Sequence, residues 1–497
     1  MFFPSNFISI FLGAASASAV WRGGNTYNRV LSPHGLKAWE PRKQAYFSTH
    51  GRPSPQEFAK GNWLPESIHS PQPSQEEKEN ADLWGNIQPW PLAAGNPNYG
   101  IIMDAGSTGT RIFVYEWDTP SSCHDSPYIR PSYFTSGPKK DKQFKLKKKG
   151  GLAEIAPELV PGYLEDFLTE AIQFIPKEKL ANTPIFLKAT AGMRLLPHFK
   201  ANAILSQVRK VFSESPFLYD PKFGVQIIPG EYEGVFGWLT VNYLAGVLGT
   251  KDKPSVGMVD MGGASCQITF ETPQVPMENA FPINLNGTSR VVYTHSYLRF
   301  GRNEARERYQ VRHLKASDVE LPEDPCFVRG FRGVSPSGLE FVGSGDFKSC
   351  ISKTEHLTLK DPFCPTSSCA INGVYQPIIP ENMEVVGIAG MFKVAKWFKC
   401  HGRSSIRRLR DHAEEVCSNL DIDAYTEKFS KHSDDSDFNN YCFMAAYIVN
   451  MLETGYGLPL DRTIRFASSV RGADVGWTLG AMIYEANLLY PSGQCCK

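Results

Sequence analysis

The sequence lacks an excess of either charge, any long apolar run after its first twenty residues, and the paired-cysteine knuckles of a zinc module. With 52 Lys plus Arg against 51 Asp plus Glu, its formal net charge is +1 over 497 residues. Global charge therefore points to no nucleic-acid or membrane-surface partner. The single basic run, Lys139 to Gly151 (KKDKQFKLKKKGG), has no interleaved aromatic pattern. It reads as a solvated loop that would at most draw in an anionic substrate. No segment beyond the start reaches the roughly eighteen uninterrupted apolar residues of a membrane-crossing helix. Asp and Glu are missing altogether before Glu40.

That acid-free start carries FISIFLGAASASAV, an apolar core ending in small residues, like a signal peptide with an Ala-Ser-Ala cleavage site. Its Arg, Lys and Ser content also suits a mitochondrial presequence. Residues 1–30 are thus expected to be a leader, with membrane association through this segment left open. Residues 31–98, sparse in apolar side chains and rich in Pro, Ser, Gln and Asn toward their end, are expected to be a linker of low order. Cysteine, by contrast, is plentiful: eleven in all, seven of them from Cys326 to Cys442 inclusive. Zinc ligation would want C-x-x-C pairs or nearby His ligands, which these spacings do not supply. An oxidising compartment fits better, which favours the signal peptide and the secretory pathway: endoplasmic reticulum or Golgi lumen, cell surface or secreted. Cys364 and Cys369 bracket a short polar loop, PTSS, suited to a local bridge. Asn286-Gly287-Thr288 is a glycosylation sequon. The tail, 491–497, ends in Cys495-Cys496-Lys497, which would be lipidated or paired.

The segment GIIMDAGSTGTRIFVYEW, Gly100 to Trp117, sets an acidic, glycine-rich turn between two apolar runs that read as buried strands. Glycines let the backbone approach a ligand, and successive N–H groups can form an anion nest. Asp104 would repel a phosphate unless a cation sat between them, so the turn suggests a metal–phosphate site. An ordinary β-turn is the plainer alternative. The design recurs in VGMVDMGGASCQITF, Val256 to Phe270. In register, Asp104 meets Asp260, Gly106 meets Gly262, Arg111 meets Gln267 and Ile112 meets Ile268. A duplicated phosphate hairpin implies two similar lobes facing across a cleft.

Elsewhere GYLEDFLTEAIQFI has helical spacing, TPIFLKATAGMRLLP reads as strand, turn and helix, and VQIIPGEYEGVFGWLTVNYLAG as strand, Gly230 turn and helix. DFNNYCFMAAYIVNMLETGYG reads as a buried helix closed by glycine, and RGADVGWTLGAMIYEANLL as a last helix with Asp474 near its start. Alternating strands and helices, with a hairpin at each lobe start, argue for an α/β protein with mixed sheets.

Five segments taken together, IIMDAGSTGTRIFVYEW, KATAGMRLLP, GEYEGVFGWLTVNYL, GMVDMGGASCQITF and GADVGWTLGAMI, resemble in order and spacing the signature regions of the apyrase family, the nucleoside triphosphate diphosphohydrolases. The resemblance spans roughly Tyr99 to Leu489. It implies two ribonuclease-H-like lobes, with mixed sheets flanked by helices and the active site in the interlobe cleft. Lobe I would be 99–229 plus 466–490, and lobe II 230–465. It also implies hydrolysis of terminal phosphates of nucleoside tri- and diphosphates, by direct water attack, with Ca²⁺ or Mg²⁺. On this resemblance Glu233 is the general base, while Ser265 and Gln267 hold the attacking water. Ser107, Thr108, Gly109, Thr110 and Arg111 face Gly262, Gly263, Ala264 and Ser265 as phosphate-binding turns, joined by the Thr190 hydroxyl. Asp104 and Asp260 hold the cation, in part through water, with Trp477 nearby. Glu231 is expected only to complement a helix dipole. Arg194 is either structural or part of the site, and Phe392 either stacks on a nucleobase or belongs to the core. Disulfides Cys326–Cys350, Cys364–Cys369 and Cys417–Cys442 are implied, with Cys266 a free thiol.

GSTGTR looks like the Golgi and secreted diphosphatases of the family, whereas CPTSSCAINGVYQP looks like its cell-surface group. The loop KHSDDSDFNN before Cys442 lacks the arginine that some relatives place there. Subgroup membership therefore assigns no substrate preference. Two other readings share the lobes: an exopolyphosphatase-like enzyme, which does not need the cysteine framework, and a non-catalytic nucleotide-binding scaffold. A scaffold would not need Glu233, Ser265 and Gln267 together. No nucleic-acid partner is expected, and oligomeric state is not read from the sequence.

Overall fold

The computed structural model describes residues 96–119, 127–248, 253–285, 288–315, 320–361, 363–364, 366, 368–432, 435, 437–470 and 473–489. The expected leader, nearly all of the linker, Cys123, Asn286 of the sequon and the Cys495-Cys496 tail lie outside the described residues.

The two apolar runs around the first turn become β1 (Asn98–Gly106) and β2 (Gly109–Trp117), an antiparallel hairpin that closes where Gly106 faces Gly109. Both strands are buried on two faces, as continuous Ile, Val, Met and Phe runs require. On the outer side of β2 lie β3 (Arg130–Pro131) and β4 (Lys145–Lys149), both antiparallel to it. On the other side β1 runs parallel to β5 (Ile185–Ala189), which runs parallel to β6 (Val225–Ile227). The intervening helices are α1 (Val160–Phe174), α2 (Ala191–Arg194) and α3 (His198–Ser213).

After α4 (Gly230–Leu244) the plan repeats. β7 (Gly257–Met261) and β8 (Ser265–Glu271) form the second hairpin. Then come β9 (Ala280–Leu285), β10 (Thr288–Leu298) and α5 (Arg302–Lys315). A small separate sheet of β11 (Glu323–Asp324), β12 (Arg332–Val334) and β13 (Glu340–Gly343) precedes α6 (Phe347–Glu355). β14 (Val385–Ala389) leads into α7 (Gly390–Trp397), followed by β15 (Gly402–Ser405), α8 (Ile406–Asn419), α9 (Tyr441–Asn450), β16 (Thr463–Phe466) and α10 (Trp477–Leu489). The first sheet reads β2-β1-β5-β6 from its hairpin and the second β8-β7-β14-β16. Each is an antiparallel hairpin continued by two parallel strands, so the duplication inferred from the two turns extends to whole sheets. The fold is a two-lobed α/β fold with mixed sheets.

Helix α4 buries twelve of its fifteen residues, as a helix that is apolar on every side must. Its partner is α10, whose Gly480 N–H donates to Thr240 Oγ1 at 2.8 Å. Helix α10 also reaches the first sheet, where Thr478 Oγ1 meets the Tyr115 hydroxyl at 2.8 Å and Glu485 pairs with buried Lys188 at 2.6 Å. The chain thus returns at its end to the first sheet. Gly230, expected in a turn, is instead the first residue of α4, behind Pro229. Only glycine fits there, because a Cβ would overlap the Ser296 hydroxyl and the Arg194 guanidinium.

All three implied disulfides are present: Cys326–Cys350, Cys364–Cys369 and Cys417–Cys442. Cys266 and Cys400 are free and buried. Among the described residues no helix is long and apolar enough to cross a membrane.

Candidate active site

Strand register decides what the two acids of the duplicated hairpins meet. Asp104 stands directly opposite Arg111, and Asp260 directly opposite Gln267. Opposite residues of an antiparallel pair share a face and touch. In the first hairpin the result is an ion pair, Arg111 Nη1 to Asp104 Oδ2 at 2.9 Å. In the second, Gln267 turns to other partners. Its Nε2 lies 3.2 Å from Glu233 Oε2, 2.8 Å from Ser265 Oγ and 3.0 Å from Ser296 Oγ. Ser265 and Gln267 are two apart on β8 and so project from one face, while Cys266 projects from the other. The Cys266 thiol lies 3.3 Å from Met451 Sδ and 3.4 Å from the Tyr456 hydroxyl, and burial pushes its pKa up to about 12. It is an inert core thiol.

Glu233 is in the first turn of α4, where a carboxylate complements the helix dipole. Arg194, the last residue of α2, donates from Nη2 to Glu233 Oε2 at 2.6 Å and lies 3.5 Å from Ser265 Oγ. Arg194 is therefore a member of the site. Of the two alternatives open for Arg194 the structure favours the site; Ser296 is another member, and the motif reading missed it. Ser296 could have been suspected from the polar alternation Thr294, Ser296 on a strand beside β8.

The tips of the hairpins touch. A Cβ on Gly263 would come within 2.6 Å of Ser107 Oγ and Thr108 Cγ2, so only glycine allows this approach. The second turn's carbonyls point away toward α5: Gly262 accepts from Arg302 N–H at 3.0 Å, Gly263 from Asn303 N–H at 2.9 Å and Ala264 from Arg299 N–H at 2.7 Å. Two expected phosphate contacts are altered. The Gly262 N–H is committed to closing its own hairpin, onto the Ser265 carbonyl at 2.9 Å. Thr110 is fully buried, on the face of β2 opposite Arg111, because side chains alternate along a strand. Thr190 is anchored beside the first turn by its N–H on the Ala105 carbonyl at 3.1 Å.

Three carboxylates share this interior: Asp104 and Glu233 are each 8% exposed and Asp260 is 6%. Desolvation is the largest influence on all three, and it raises each pKa. Glu233 is pushed up to about 8, with Asp260 and Asp104 adding to the rise and Arg194 opposing it. Asp260 is pushed up to about 7, with Asp104 reinforcing burial and Arg111 and Arg302 opposing. For Asp104 the Arg111 guanidinium opposes the rise without cancelling it. Buried polar atoms normally have partners, yet Asp104 Oδ1, Gln267 Oε1 and Arg194 Nε have none. Oxygen donors short of positive charge suit a hard divalent cation that keeps part of its water shell. Among the described residues no cluster of three or more His, Cys, Asp or Glu could enclose a metal.

Trp477, at the start of α10, packs in the apolar layer with Tyr115, Trp117 and Phe236. Phe392 is buried in the second lobe's core, its ring edge toward His401, so the base-stacking alternative loses to the core one. The loop before Cys442 supplies carboxylates in place of the arginine: Asp435 and Asp437 each hold Lys393 at 2.7 Å, and Asp437 also meets Arg302 at 3.3 Å.

A family model described as GDA1/CD39, nucleoside phosphatase, matches residues 92–492. The chain belongs to that family. Among curated relatives, a Golgi apyrase of Schizosaccharomyces pombe is 31% identical over 443 residues, covering 80% of this chain and 76% of the relative. Ectonucleoside triphosphate diphosphohydrolase 8 of Bos taurus is 31% identical over 437 residues, covering 80% and 84%. Among solved structures, nucleoside triphosphate hydrolases from Neospora caninum superpose with a TM-score of 0.57 at 16% identity, covering 80% of this chain and 94% of that one. This likeness establishes the shared fold.

Proposed function

We propose that this nucleoside phosphatase family member hydrolyses the terminal phosphate of nucleoside tri- and diphosphates by direct attack of water, with Glu233 as general base. The observation that carries it is the convergence of Glu233, Ser265 and Gln267 where two phosphate hairpins meet. Phosphoryl transfer asks the protein mainly for positioning and charge stabilisation. Ser107, Thr108 and Arg111 on one side, with the N–H groups of Gly263 and Ala264 on the other, supply donors for the phosphate oxygens. A water held by Ser265 and Gln267 lies beside the Glu233 carboxylate. With Glu233 ionised, the bond to the bridging oxygen breaks as the water oxygen bonds to the terminal phosphorus, and the water proton passes to Glu233. The products are inorganic phosphate and the shortened nucleotide. Asp104 and Asp260 are the residues that would hold a divalent cation, Ca²⁺ or Mg²⁺, which when bound neutralises phosphate charge between the hairpins. Arg194 keeps the Glu233 carboxylate aimed at the water.

We assign 99–229 plus 466–490 to one lobe and 230–465 to the other, with α4 and α10 between the sheets. Three disulfides, together with relatives named as Golgi and ecto-enzymes, support a secretory-pathway location. A phosphate-release panel of nucleoside tri-, di- and monophosphates plus inorganic polyphosphate tests the function. Release from tri- or diphosphates, and none from monophosphate, is expected. Cleavage of polyphosphate alone, or binding without release, would replace this reading with one of its rivals.

A further inference from the structure

The basic strand β4, first read as a solvated loop, runs along the outer side of the first hairpin and places Lys147 opposite Arg111. The Lys147 stem crosses the hairpin tip: its Cε lies 3.6 Å from the position a Cβ would take on Gly109. Its neighbours on β4 are engaged. Lys145 pairs with Asp474, while Lys148 pairs with Asp166 at 2.8 Å and donates to the Tyr163 carbonyl at 2.6 Å. Among the described residues no carboxylate comes within ion-pair distance of Lys147.

The strongest charges acting on Lys147 are positive, although the Asp104 carboxylate, already paired with Arg111, also feels it. The positive charges come from Arg111 and Lys145 on its own lobe and from Lys393 and Arg302 on the other. Arg111 is neutralised by Asp104, and Arg302 and Lys393 share Asp437. Lys147 is thus the member of a two-lobed basic collar that has no ion-pair partner among the described residues. Partial desolvation, then these four cations, lower its amine below the usual lysine range. Like charges crowded across a cleft are unfavourable, and an anion between them removes the penalty. Lys147 crosses the tip of the first hairpin at Gly109, whereas Glu233 is hydrogen-bonded to Arg194 and to Gln267 of the second hairpin. In an in-line displacement the attacking and departing oxygens lie on opposite sides of the phosphorus.

We propose that Lys147 is a substrate-binding residue that contacts the non-scissile phosphate of the nucleotide, on the leaving side of the bond that breaks. This rests on the phosphohydrolase reading above.

The test compares Lys147→Met, Lys147→Arg and, as a control in the same basic run, Lys140→Met in the full chain. Two readouts separate this inference from the reading it rests on. One is KM against kcat for nucleoside di- and triphosphates at low and high salt. The other is the Kd, by calorimetry, of a nucleoside triphosphate analogue with a methylene in place of the scissile bridging oxygen. A lost charge-assisted contact should raise KM and Kd about tenfold or more, with kcat changed less than about threefold and a shallower salt dependence. Lys147→Arg should recover most of the loss, and Lys140→Met should match the parent. An unchanged Kd in Lys147→Met, or an equal loss in Lys140→Met, would overturn the assignment. Analogue binding that depends on Lys147 in a protein that releases no phosphate would refute hydrolysis and keep the residue's role. No analogue binding by the parent protein would refute both.

Discussion

The two hairpins share topology, register and an acid at the same place, yet the residue opposite the acid differs. In the first, Arg111 faces Asp104 and ion-pairs with it; in the second, Gln267 faces Asp260 and brings no charge, so that Asp260 feels only more distant arginines. A glutamine can reach sideways without carrying charge, and here it reaches Glu233 and Ser265. On the proposed mechanism one copy of the duplicated unit would handle phosphate charge while the other arranges the water and its base, and this asymmetry would reside in the single cross-strand position together with the helix start that delivers Glu233.

The largest effect should come from removing the shared cation. In excess chelator, phosphate release should fall to background. Asp104→Asn and Asp260→Asn should each lose activity, with a shifted metal dependence in the Asp260 variant, which has no arginine opposite. Full turnover in chelator would mean that the two acids do not act through a cation.

Next is the base. A general base contributes about 10²–10⁴-fold, roughly 2.7–5.4 kcal/mol at about 1.36 kcal/mol per tenfold. Glu233→Gln should lose turnover on that scale with nucleotide binding nearly intact, and Glu231→Gln should be mild. Normal turnover in the first variant with collapse in the second would show that the wrong carboxylate has been assigned.

Making the hairpins alike is a smaller and sharper perturbation. Gln267→Arg should give Asp260 the ion pair that Asp104 already has and strip Glu233 of an amide contact. Turnover should fall about ten- to a hundredfold, while affinity for the methylene analogue is kept. If Gln267→Arg turned over like the parent, the cross-strand position would not be what separates the two copies.

The smallest effect is on stability. Burial raises the folded-state pKa of Glu233 from 4.5 to about 8 and of Asp260 from 3.8 to about 7. Between those limits the folded protein retains protons that the unfolded chain has released, so stability must fall as pH rises. Metal-free protein should therefore melt at progressively lower temperature from about pH 5 to about pH 8, and Glu233→Gln should flatten part of the slope. A melting temperature that rises over this interval would mean that the carboxylates are better compensated than their burial implies.

Much of the site was readable from residue order because its parts are local. An acid–glycine turn between apolar runs is a hairpin by composition, its recurrence 156 positions later marks a duplication, and Glu233 follows a glycine into a helix within one short segment. The same holds for Cys364–Cys369, whose partners are five residues apart. Interactions that join distant segments left no such trace. Arg194 reaches Glu233 across 39 positions and Ser296 reaches Gln267 across 29, and nothing in either segment names the other. Nor did composition reveal which face of β2 Thr110 occupies or that Gly262 spends its N–H on its own turn.

Sequence alone thus determined the two-lobed α/β plan and the placing of the paired acids on duplicated turns, which rest on short-range pattern, while Glu233 as candidate base came from the resemblance of whole motifs to the family. Tertiary structure decided which groups neutralise which. Coulomb interaction and desolvation depend on distance and burial rather than on chain separation. The pairing of Arg111 with Asp104, the arginine on the base and the unpartnered Lys147 over the phosphate turn therefore exist only once β4, α2 and β10 are brought against the hairpins.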